Sequence, residues 1–330
     1  GIDKKNPAVI FPAALLTLTV KEDAAVYVAV IGLWLTLKSL LRFRRADTQN
    51  LITGFLLLAV SLCWFFLATG YLASSGDGVM TSRYKNLMYN ESSSLITVVK
   101  AVLLSPMKAV FECADTEKLP FIAMTLLPLL GLPLWTRRYE RYLLLIPYIL
   151  VNLLSDYRYQ HDIFYQYTFG SNAFLLYLTM ANLADLKTGL RRIFPLAAAA
   201  AVCAVCFCAV IVPKAVKYPA EVFARHGFYQ EIRHVLDTIP EEAPVTATTF
   251  YTTYLSQRKI LYDVRYSSQE HLLETEYVVL ALPPSSDYKN YEDEDTDNGF
   301  ENLVKLLEEN GYREWKAIED VLVIYHKEAS

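Results

Sequence analysis

Apolar residues along this chain gather in long unbroken runs, not in the alternating or every-third-and-fourth patterns of water-soluble elements. Leu51 to Ala73, LITGFLLLAVSLCWFFLATGYLA, contains no charged residue, and neither does Ile193 to Pro213. A hydrocarbon core about 30 Å thick needs roughly 20 helical residues at about 1.5 Å each, so both runs have spanning length. Ala24 to Leu41 and Phe164 to Ala184 come close. Leu119 to Trp135 keeps the length despite Pro120, Pro128 and Pro133, which membrane helices tolerate better than soluble ones do. Residues 8–20 and 142–154 are shorter, reach about two thirds of the way across, and fit a tilted segment, a thinned bilayer or a half-helix. The pattern therefore predicts a mainly α, polytopic transmembrane helical bundle of about seven membrane segments, near 8–20, 24–41, 51–73, 119–135, 142–154, 164–184 and 193–213. Residues 95–111, LITVVKAVLLSPMKAVF, carry Lys100 and Lys108 near one helical face and predict an interfacial helix lying flat on the bilayer.

Beyond residue 213 the pattern changes to short periodic elements. Glu221 to Leu236 has helical spacing; PVTATTF, KILYDV and EYVVLAL read as strands; Phe300 to Asn310 reads as a helix stopped by Gly311; YREWKAI and DVLVIYH read as two closing strands. Residues 1–213 thus form a transmembrane helical domain and 214–330 a small soluble C-terminal α/β domain.

Charge sharpens this division and orients it. Of 330 residues, 54% are hydrophobic and 20% charged; the first part of the chain is net basic and the part after Pro213 strongly acidic. Such a balance excludes nucleic acid as a partner and points to membrane lipids. Lys4 and Lys5, then Lys38, Arg42, Arg44 and Arg45, then Arg137, Arg138 and Arg141, then Lys187, Arg191 and Arg192 fall on one side if the segments alternate, and the positive-inside rule makes that side the cytoplasm. The C-terminal domain is then extracytoplasmic, together with residues 21–23, 74–118 and 155–167. The five cysteines include Cys203, Cys206 and Cys208 in an apolar run without a polar neighbour, so they read as packing residues and imply no disulfide framework.

Soluble-enzyme motifs are absent: there is no phosphate-cradling glycine loop, zinc-ligand spacing or nucleophile elbow. Candidate chemistry sits at the membrane boundaries. Glu22 and Asp23, beside Lys21, supply carboxylates that can take a proton from a hydroxyl acceptor or hold a divalent metal against a phosphate. Their blander reading is a hydrated turn whose acids favour the start of the next helix. The second candidate is SDYRYQHDIFYQY at 155–167. There Arg158 and His161 can grip a phosphate, with Asp156 and Asp162 beside them; Tyr157, Tyr159, Tyr165 and Tyr167 fit either sugar stacking or an interfacial aromatic belt.

KEDAAVYVAVIGLWL, LLLIPYILVNLLSDYRYQHDIFYQYTFGSNAFLLY, VTATTFYTTYLSQRKILYDV and EYVVLAL, in that order, resemble the bacterial polytopic membrane proteins grouped as domain of unknown function 2079. That family is similar in architecture to GT-C type membrane glycosyltransferases. The resemblance implies a plasma-membrane enzyme that uses a polyprenyl-phosphate-linked sugar at the outer face. Its catalytic residues would be Glu22, Asp23 and Asp156, and its substrate-binding residues Lys21, Arg158, His161, Asp162 and Tyr165. It also implies that the chain is the later part of a longer protein, beginning after the first outward loop in which GT-C enzymes carry their acidic motif. The competing readings are a transporter or flippase for a lipid-linked or anionic solute, and a non-catalytic membrane scaffold.

Overall fold

A computed structural model describes residues 2, 4–41, 47–74, 83–88, 95–282, 286–293 and 297–328. The basic residues expected at 42, 44 and 45 lie outside the described residues. The chain is mainly helical with one small sheet, and it divides into two compact units, Gly1–Pro213 and Lys214–Ser330.

In the first unit, α1 (Pro7–Leu18), α2 (Ala24–Leu40) and α3 (Thr48–Ser74) follow one another. Asn6 caps α1 by accepting from the Ala8 amide, and Pro7 occupies the first turn, where its missing N–H costs nothing. Helices α2 and α3 approach closely because glycines face each other. A Cβ built on Gly54 would stand 2.6 Å from the Thr36 hydroxyl and 2.7 Å from the Gly32 carbonyl. Trp34, Leu35 and Leu57 fill the same contact with Leu144 and Leu178. Then come α4 (Leu95–Leu104), α5 (Pro106–Cys113), α6 (Leu119–Leu126), α7 (Phe169–Asp185) and α8 (Leu190–Cys206).

Two helices among the described residues are long and apolar enough to cross a membrane, Thr48–Leu72 and Leu190–Ala224. Only 22% and 6% of their most apolar stretches are buried, unlike the core helix of a soluble protein. Pro7–Leu18, Ala24–Leu40 and Leu119–Leu129 are shorter apolar helices. Three expected segments differ in form. Residues 119–135 are not one helix: after α6 come two short 3₁₀ turns separated by left-handed Leu130 and Gly131, because Pro128 and Pro133 cannot continue the amide ladder. Residues 142–154 are 3₁₀ and π turns, Tyr139–Leu145 and Tyr148–Leu153, in place of an α-helix. The expected interfacial helix is broken at Ser105, where Pro106 starts α5 afresh.

Helix α9 (Val212–Ala224) crosses the boundary into the second unit, and α10 (His226–Leu236) follows. Then β1 (Val245–Ala247), α11 (Thr249–Thr252), β2 (Leu261–Asp263), α12 (Gln269–Glu274), β3 (Tyr277–Ala281), α13 (Gly299–Glu309), β4 (Tyr312–Ile318) and β5 (Leu322–Lys327) complete it. The sheet order is β2-β1-β3-β5-β4; β1 pairs parallel with β2 and β3, whereas β5 runs antiparallel to β3 and β4. Along β3, Val278 and Leu280 pack with Leu272, Leu303 and Leu307. Tyr277 and Val279 pack with Leu236, Val245 and Leu255 on the other side. This period of two buries both faces of the strand, the reason EYVVLAL is apolar almost throughout. Gly311, at φ 83°, supplies the left-handed residue that ends α13.

Candidate functional site

The turn that joins α1 to α2 carries Lys21, Glu22 and Asp23. Lys21 Nζ lies 3.2 Å from Asp23 Oδ2 and 3.9 Å from Glu22 Oε1. The same ammonium sits 4.9 Å from the centre of the Tyr167 ring, so this turn and the polar stretch 155–167 meet. Arg83 joins them from a third part of the chain. Its guanidinium stands 5.1 Å from the Tyr157 ring and 5.3 Å from the Tyr167 ring. Its backbone carbonyl accepts from the Asp156 amide at 2.8 Å and the Ser155 hydroxyl at 3.2 Å.

Below this cationic cluster lies a cavity of about 810 Å³ among α1, α2 and α7. Its wall is mainly apolar, with Ile10, Ala14, Val28, Ile31 and Phe174, while Lys21, Asp23, Tyr27, Arg83, Gln166 and Tyr167 form its polar part. Tyr27 is pressed against Gly170, where any Cβ would come within 2.4 Å of the ring. Asp23 and Tyr27 are one helical turn apart and so reach the same cavity. The Arg83 side chain has no hydrogen bond or ion pair among the described residues, and its buried Nε is unpaired. Among the described residues this guanidinium stacks on two phenols and meets no counter-anion, an arrangement that suits an anionic ligand.

The 155–167 stretch is held from beneath by buried Asn152. Its amide donates to the carbonyls of Gln160 and Tyr167, and its carbonyl oxygen accepts from the Ser171 hydroxyl. Ser155 bonds the Gln160 side chain, and Tyr84, on the neighbouring turn, donates to the Leu150 carbonyl at 3.0 Å. Burial pushes the Tyr84 phenol up to about 12, so it remains a donor at neutral pH.

Not every expected residue reaches the cavity. Lys21 and Asp23 line it; Glu22 stands beside them on the Lys21 ammonium. Asp156 and Arg158 are exposed at the surface of the stretch, and Asp162 accepts from the Phe164 amide at 2.9 Å in a local turn. The Tyr165 ring packs 4.4 Å from Tyr159, at the far end of a chain of rings that runs through Tyr157 to Tyr167. His161 is 7% exposed, with both ring nitrogens unpaired, and its pKa is lowered by burial first and by the nearby Lys118 charge second. Glu22 and Asp23 are both engaged by Lys21, and no three potential metal-ligating side chains converge among the described residues, so they do not make a ready divalent-metal set. Arg83 and Tyr27 were not legible as site residues, and Gln166 lay within the marked stretch 155–167 without being singled out: Arg83 belongs to no motif, and only the fold brings it to the tyrosines.

The family model described as "Predicted membrane protein (DUF2079)" matches residues 1–322. The chain belongs to this family. The match covers the first unit with its cavity and runs through the second as far as the first residue of β5. No curated protein and no solved structure matches the chain.

Proposed function

We propose that this DUF2079 protein is a GT-C-like membrane glycosyltransferase that draws its sugar from a polyprenyl phosphate at the outer face of the plasma membrane. In this reading the seven segments form a multi-pass core and the soluble unit is extracytoplasmic. The observation that carries it is the cavity: an apolar chamber whose polar part presents Lys21 and Arg83, the latter with its Nε unpaired, beside Asp23. An isoprenoid chain suits the apolar wall, and a phosphate suits the two cations.

The step follows from these groups. The oxygen of an acceptor hydroxyl attacks the anomeric carbon while Asp23 takes its proton. The bond from that carbon to the phosphate oxygen breaks, and polyprenyl phosphate leaves with the negative charge that Lys21 and Arg83 neutralise. Glu22 holds Lys21 in place. Asp156, Arg158, Asp162 and Tyr165 stand at the surface of the adjoining stretch, where an acceptor would enter, with His161 buried behind them.

Full-length protein in nanodiscs, given polyprenyl phosphate carrying a radiolabelled sugar and a mixture of envelope acceptors, is expected to release unlabelled polyprenyl phosphate. Asp23→Asn should lower that rate by about a hundredfold or more, and Arg83→Ala should weaken retention of the lipid phosphate. Movement of intact labelled lipid between leaflets without cleavage would favour the transporter reading and overturn this one.

A further inference from the structure

The soluble unit holds a second site, independent of the membrane cavity. From β1 the chain goes to β2 on one side of the sheet, whereas from β3 it goes to β4 and β5 on the other. The segments leaving the carboxyl ends of β1 and β3 therefore diverge, and the crevice between such ends is where open α/β sheets take ligands. A cleft of about 590 Å³ lies at this position, with Phe250 and Tyr254 after β1, Leu282 after β3, Tyr229 and Arg233 on α10, and Asp320 in the turn before β5.

Its rings are not packed away. Phe250 is 78% exposed, Tyr254 41% and Tyr229 38%. Tyr254 is fixed in orientation, because its hydroxyl donates to Asp237 at 2.6 Å and the Arg233 guanidinium lies 5.9 Å from its ring. Among the described residues Arg233 meets the Tyr254 ring and no carboxylate, and Asp320 has no hydrogen-bond or ion-pair partner, so a donor fork and an acceptor both line the cleft. Asp320 is held at φ 56°, a backbone conformation unusual for a residue with a side chain.

These groups select a ligand class. A nucleotide at this point in a sheet is held by a glycine-rich turn that lets backbone amides approach its phosphates. Residues 248–256, TTFYTTYLS, contain no glycine, and α11 is a single turn of four residues. Open aromatic faces instead attract the polarised C–H faces of a pyranose ring, while a free guanidinium and a carboxylate match its hydroxyls. We propose that this cleft binds a saccharide, stacked on Phe250 and Tyr254 with its hydroxyls on Arg233 and Asp320.

The test uses the full chain in lipid nanodiscs, free of sugar-headed detergents, with cellotetraose, chitotetraose and mannotetraose as probes. Saturation-transfer NMR and calorimetry are expected to show at least one of them binding with a Kd of about 1 mM or tighter. Phe250→Ala and Tyr254→Ala should each weaken it about tenfold, whereas Tyr266→Ala, at a 76% exposed ring outside the cleft, should leave it unchanged. Phe250 is exposed, so its loss spares the fold, and an unaltered melting curve checks this. No binding by any of the three, binding undiminished in both cleft variants, or binding of ATP displaced by none of the saccharides would overturn the assignment. These readouts do not depend on sugar transfer, so this site can fail while the membrane reading stands, and the reverse.

Discussion

At the scale of single residues, two polar side chains in and beside the site lack ordinary partners. Among the described residues Arg83 faces two phenols and no acid, and His161 is buried with both nitrogens unpaired. His161 gives a pH prediction with a definite sign. Its folded pKa is lowered below 6.5, chiefly by burial, so below that pH the unfolded chain binds the proton more readily than the folded one. Its contribution to stability is therefore complete above pH about 6.5 and lost as the pH falls toward the folded pKa. Thermal melts in nanodiscs should show a fall in midpoint from pH 7 to pH 5 that is smaller in His161→Phe; equal slopes in the two proteins would contradict it. The residue-level signals in the sequence were uneven. Lys21, Glu22 and Asp23 stood out as ionisable residues between two apolar runs, with a hydrated turn as their blander reading. Arg83 did not, because its meaning lies in two rings more than seventy positions away along the chain.

At the scale of elements, close helix approach decides what the cavity walls can be. In α3, Gly54 faces the backbone of α2, while Gly70 of the same helix has nothing within 4 Å of a built Cβ. Gly54→Ala is expected to destabilise the protein by about 1–3 kcal/mol through overpacking, and Gly70→Ala to be neutral or slightly stabilising because alanine favours helix. Melting midpoints of the two variants in the same lipid check this contrast; equal shifts would mean that α2 and α3 do not meet at Gly54. The membrane-length runs were legible because a run such as 51–73 has one physical use. Proline-rich 119–135 and the short run 142–154 were legible as apolar but not as helix. Their hydropathy matches a helical segment, yet their backbones turn into 3₁₀ and π geometry where the amide ladder is interrupted or neighbouring packing prevails.

At the scale of the whole molecule, two units share one chain, and the proposed orientation is open to direct measurement. In a background with the five native cysteines replaced by serine, Ser256→Cys on the exposed surface of the second unit should react with a membrane-impermeant maleimide added to intact cells. Arg137→Cys, in a loop assigned to the cytoplasm, should react only after the membrane is opened. The opposite pattern would reverse the topology and place the cavity's polar part inside the cell.

The sequence by itself determined that the chain is a mainly helical membrane protein ending in a small α/β unit, because uninterrupted apolar length and short strands between turns each have a single low-energy use. It also marked residues 21–23 and 155–167 as polar chemistry at membrane boundaries. Tertiary structure alone decided that these two stretches meet, that they do so through Tyr167 and Arg83 and not through Arg158 or His161, and that an apolar cavity opens beneath them. It also placed the aromatic cleft at the diverging ends of β1 and β3. The physical reason is common to all of these: local periodicity reports which groups leave water, but which of them then become neighbours depends on packing between segments far apart in the chain.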